Sequence, residues 1–65
     1  MATPADKARA AMQAATKAAE NGRMSDALHN LWKARHQADR ASGHREELLR
    51  QSLALASEIK TPGGD

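Results

Sequence analysis

The chain has 65 residues, enough for one small domain with a thin core, since chains this short bury only about 60% of the surface their unfolded form exposes. It contains no cysteine, phenylalanine, tyrosine or valine, and Ile59 is its single β-branched aliphatic residue. That excludes disulfide staples and thiolate metal sites, and it argues against a strand-rich fold. Ten Lys and Arg against eight Asp and Glu leave a formal charge of +2, spread along the chain rather than gathered on one arm as nucleic-acid binders usually arrange it.

Thr3-Pro4-Ala5-Asp6 is a helix start. Thr3 can cap, Pro4 suits the first helical position, and Asp6 favours the positive end of the dipole. The segment that follows, Lys7 to Glu20, is dominated by alanine, with Ala8, Ala11, Ala15, Ala18 and Ala19 forming a smooth face. Such a face lets a neighbouring helix approach closely but buries little area per residue. Asn21-Gly22 ends this helix, because glycine readily adopts the left-handed conformation of a helix C-terminus.

Ser25-Asp26 reopens a second helix, predicted to run from about 24 to 41. Met24, Ala27, Leu28, Leu31, Ala34 and Ala38 give it the spacing of one buried stripe. Ser42-Gly43 stops it. A third helix is predicted over about 44–60, opening near His44 with Glu46 and Glu47 in its first turn. Its apolar fan of Leu48, Leu49, Leu53, Leu55, Ala56 and Ile59, with Ser52 among them, covers nearly half the circumference. Leu31 and Leu53 are expected at the centre of the packing. Thr61-Pro62-Gly63-Gly64-Asp65 cannot continue a helix.

The fold class is therefore all-α, an antiparallel three-helix bundle, because both connections are short. Residues 1–3 read as an N-terminal tail, 4–60 as the domain and 61–65 as a disordered C-terminal tail. No apolar run approaches the roughly 18 residues a membrane span needs, and no apolar segment follows the N-terminus as a secretory leader would require. The expectation is a cytoplasmic protein with no membrane association.

Counting from Gly22, a large residue, Met24, follows two positions on; Ala27 lies five on, Leu31 nine on and Ala34 twelve on. This series, with Ala15 upstream, resembles a tetratricopeptide (TPR) helical hairpin over roughly Ala8 to Ala41, while Ala11, Ala14 and Ala18 stand where that family tends to place an aromatic, a leucine and a tyrosine. Asp39 stands where that family usually has proline. The third helix then resembles the extra capping helix that closes such arrays, and three-helix domains of the microtubule-interacting and trafficking type look similar. Both resemblances imply a module that holds a short peptide or helix of another protein between its helices.

Chemistry of other kinds finds no support in the residues. His29 and His36 are seven apart, about 10.5 Å along a helix and too far for one ion, so neither a metal nor any other cofactor is expected. There is no glycine-rich phosphate loop and no nucleophile elbow, and the Glu46-Glu47 pair is explained by the helix dipole; the chain reads as no enzyme.

Trp32, the single aromatic of the Phe, Tyr and Trp set, leaves two readings open. It is either a core residue packed under the third helix or a partly exposed anchor for a partner, flanked by Arg35, His36 and Arg40, with His29 on the same side. Tryptophan and arginine are the residue types enriched at interface hot spots. The expected function is non-catalytic protein–protein interaction, as an adaptor, docking domain or small chaperone. The partner is a peptide or helix of another protein, acidic in character, or a second copy of the chain. A small basic regulator associated with nucleic acid is the alternative from a different class, and a homo-oligomeric structural unit a third.

Overall fold

The computed structural model describes residues 2–60. The expectations for Met1 and for a disordered tail over 61–65 lie outside the described residues. Three helices follow one another: α1 (Pro4–Glu20), α2 (Met24–Asp39) and α3 (Arg45–Lys60), with no strand among the described residues.

The α1 start is built as its residues dictate. Thr3 Oγ1 accepts from the Asp6 backbone N–H at 3.1 Å, and Asp6 Oδ2 accepts from the Thr3 backbone N–H at 3.3 Å, a reciprocal capping box with Pro4 in the first turn. At the other end Gly22 adopts φ +75°. The Arg23 N–H then donates to the Ala18 carbonyl at 2.8 Å and the Gly22 N–H to the Ala19 carbonyl at 3.1 Å, which is the Schellman closure. The reversal is so tight that α2 begins at Met24 with Arg23 as N-cap and no side-chain cap bond. Ser25 thus lies inside the helix rather than opening it, while Asp26 keeps its place in the first turn. Gly43, at φ +86°, turns the chain again between α2 and α3, and the His44 carbonyl accepts from the Leu48 N–H at 3.0 Å to start α3. Helix α2 ends at Asp39, two residues short of the expected Ala41.

Packing follows the small residues. Ala8, Ala15, Ala27, Ala34 and Ala38 are fully buried, so α1 and α2 approach through methyl groups. The core divides into two clusters. One, toward the α2–α3 turn, gathers Ala5, Met12, Ala41 and Leu48 around Ala8 and Ala38; the other holds Ala15, Ala27, Leu31 and Ile59. Leu55 packs against both.

Leu31 lies in the core as expected, but Leu53 does not: it is 65% exposed, and its central place is taken by Leu48 and Ser52, both fully buried. The cause is geometric. Leu48, Ser52, Leu55 and Ile59 recur at four, three and four residues and define one stripe, from which Leu53 is rotated by about 100° relative to Ser52. An alanine-lined hairpin brings α3 close, and a small side chain fits where a leucine would not. The Ser52 hydroxyl donates back to the Leu49 carbonyl at 2.8 Å, so its burial leaves no polar atom unpaired. Leu28, placed on the α2 stripe from sequence, lies at its margin and is 41% exposed.

Candidate functional site

The core is built from alanine, leucine, Met12 and Ile59, with Ser52 buried among them, and the indole is not part of it. Trp32 is 64% exposed, which decides against the buried reading and leaves the exposed one. Its ring does not stand alone. His36, one turn further along α2, stacks on it with ring centroids 5.7 Å apart and an interplanar angle of 9°. The stack arises from the i,i+4 spacing, which puts two side chains on the same helix face.

The Trp32–His36 pair borders two grooves. On one side, a groove of about 410 Å³ runs between α1 and α2, with Lys7, Ala10 and Ala14 of α1 facing Lys33 and Gln37 of α2. On the other side, a groove of about 400 Å³ lies between α2 and α3, walled by Trp32, Arg35, His36 and Asp39 of α2 and by Arg45 and Leu49 of α3. Arg45 Nε donates to Asp39 Oδ1 at 2.7 Å, which ties the start of α3 to the end of α2 and closes this groove at the turn. Both side chains of that pair are more than half exposed, so its weight in stability is below about 1 kcal/mol.

Among the residues singled out from sequence, Trp32, Arg35 and His36 share the α2–α3 groove. Arg40 stands apart. It is the C-cap of α2 and lines a different depression, with Thr3, Pro4 and Asp6 at the start of α1. His29 is exposed one turn before Trp32 and borders neither groove that flanks the indole. Leu49, which packs against the core while lining the α2–α3 groove, and Leu53 are the apolar residues that the sequence does not single out for a surface. Leu49 is half-buried at the groove and Leu53 is open to solvent. Their signal was the excess width of the α3 apolar fan, wider than the stripe one hairpin can cover.

Charge is uneven across this region. Over residues 27–40, Lys33, Arg35 and Arg40 face one carboxylate, Asp39, which is already bonded to Arg45. Arg35 makes no ion pair among the described residues. Among the described residues there is no group of three His, Asp or Glu side chains that could hold a metal ion, and no helix long and apolar enough to cross a membrane. What the site offers is therefore a flat aromatic surface, aliphatic neighbours and unneutralised guanidinium charge, a combination suited to holding another molecule. No family model, no curated protein and no solved structure matches the chain.

Proposed function

We propose that this domain is a protein-docking module that binds a segment of another polypeptide, as an adaptor, docking domain or small chaperone, through the surface around Trp32. The observation that carries the reading is the exposure of Trp32. In a chain so poor in large apolar residues, the largest one is held outside the core, 64% exposed and pre-oriented by a stacked histidine. Leaving an indole in water forfeits its burial energy, and a partner that covers it recovers that energy at the interface. Arg35 beside it supplies charge that steers approach and fixes register. The TPR-like series Gly22, Met24, Ala27, Leu31 and Ala34 supports the same class of role, with α3 standing where a capping helix would.

The test compares the chain with its Trp32→Ala variant as immobilised baits in extract of the native host, followed by affinity measurement on the purified captured molecule. A protein bound by the wild type and lost with Trp32→Ala, at an affinity that changes little between low and moderate salt, agrees with the proposal. Equal capture by both baits contradicts it. Capture of nucleic acid alone, with affinity falling by orders of magnitude as salt rises, assigns the surface to phosphate binding instead.

A further inference from the structure

We infer that the occupant of the Trp32 surface is an acidic amphipathic helix, seated along the seam between α2 and α3. The inference rests on the docking reading above and specifies both the partner's chemistry and its track across the domain.

Three large hydrophobic residues are exposed among the described residues, Leu28, Trp32 and Leu53, and helical spacing aligns them with the α2–α3 groove. Trp32 and Leu49 already share the α2–α3 groove. Because α2 and α3 run antiparallel from their turn, one helical step away from that turn leads from Trp32 to Leu28 on α2 and from Leu49 to Leu53 on α3. Leu28, Trp32, Leu49 and Leu53 thus form two parallel apolar rows, each stepping by about 6 Å. Single exposed leucines need no explanation, but the gathering of every exposed large hydrophobic on one seam does.

The occupant follows from three features. First, every described element is a helix, so there is no sheet edge on which an extended peptide could add a strand, and apolar rows that step once per helical turn match a helix laid in a groove with anchors at i, i+3 or i+4, and i+7. The two rows present that repeat. Second, the charge beside the rows is positive: Arg35 is unpaired, and the nearby carboxylate of Asp39 is consumed by Arg45. A partner helix carrying Asp or Glu beside its apolar stripe complements this edge. Third, a second copy of the chain brings the same unpaired Arg35 to this seam rather than the carboxylates that would complement it.

The experiment selects from a display library of random peptides, each about 16 residues or roughly four turns long, against the folded full chain. Binding of selected peptides is read by the fluorescence of Trp32, the single tryptophan. The inference expects winners with an i, i+3 or i+4, i+7 apolar pattern flanked by Asp and Glu. It expects their affinity to fall about tenfold or more with Leu53→Glu and with Arg35→Glu, and to survive Ala14→Glu, which alters the α1–α2 groove. Helicity of each variant is checked by circular dichroism, and Leu53→Gln repeats the test without the added charge. Peptides that bind but tolerate both Leu53 substitutions, or that are lost with Ala14→Glu, overturn the seam while leaving the docking reading intact. Selected peptides without acidic residues overturn the partner chemistry. A dimer in sedimentation that dissociates with Leu53→Glu assigns the seam to a second copy instead. If the library yields nothing, both readings fall.

Discussion

Truncation of two leucines five residues apart on α3 should give opposite results. Leu48 is fully buried, in the cluster with Ala5, Ala8, Met12, Ala34 and Ala38, whereas Leu53 is 65% exposed. Replacing leucine by alanine removes three carbons, worth about 0.8 kcal/mol each when fully buried, and Leu48→Ala leaves a cavity besides. The expected cost is about 3 kcal/mol. A chain of this length has roughly 3–10 kcal/mol of stability in total, so the variant loses a large share of it, and the melting temperature should drop by more than about 10 °C. At Leu53 only about a third of that transfer energy is at stake and no cavity forms, so Leu53→Ala should cost less than about 1 kcal/mol. Far-ultraviolet circular dichroism during thermal and urea unfolding measures both. If Leu53→Ala destabilises as much as Leu48→Ala, then Leu53 is a core residue, the α3 stripe is misassigned and the docking seam has no basis.

Substitutions at three further positions test separate parts of the fold and its surface. Gly22→Ala places a Cβ in open space at φ +75°, so its cost is backbone strain alone, about 1–2 kcal/mol, read from the same unfolding curves. Ser52→Leu inserts bulk where α3 meets the alanine hairpin and should cost about 1–3 kcal/mol, whereas Ser52→Ala, which loses a hydroxyl bonded only to its own helix, should change stability by less than about 1 kcal/mol. Trp32→Ala should leave the melting temperature nearly unchanged while abolishing partner binding; a loss of the 3–5 kcal/mol typical of a core aromatic would return the indole to the interior.

Local signals in the chain were sufficient for the helices and insufficient for their faces. Thr3, Pro4 and Asp6 fix the start of α1, and Gly22 and Gly43 fix both turns, because capping bonds and positive φ are properties of a few consecutive residues. The alanine stripe of α1 and α2 was equally legible, since repetition at helical spacing needs no knowledge of the partner. Helix α3 was not. Its apolar residues span more of the circumference than any one contact can cover, and which of them goes inside depends on how near the hairpin stands. Bulk made Leu53 the natural choice, and proximity selected Ser52. Trp32 stays open in the sequence because periodicity puts it at the edge of the stripe, about 100° from the buried Leu31, where either side is accessible to a large ring. Arg40 was grouped with Trp32 by sequence spacing alone, but α2 ends at Asp39, and Arg40 turns toward the start of α1.

The same substitution pattern that weakens the core creates the surface. Alanine at the α1–α2 contact lets two backbones come close, and against that hairpin α3 buries Leu48, Ser52 and Ile59, with Leu49, Leu55 and Ala56 partly covered. Larger residues at Ala34 or Ala38 would push the helices apart and open space that Leu28 and Leu53 could fill, giving a thicker core and a polar outside. Instead the chain keeps its helices close and carries Leu28, Trp32 and Leu53 in water, which lowers stability by the burial they forgo. That arrangement is costly for an isolated domain and economical for one whose seam is covered by another helix. A partner that fills the seam should add the folding free energy expected for any ligand of the folded state, about 2.7 kcal/mol at a hundredfold excess over its Kd, and raise the melting temperature accordingly. Enlarging the α1–α2 contact with Ala34→Leu should weaken that partner even though residue 34 never touches it.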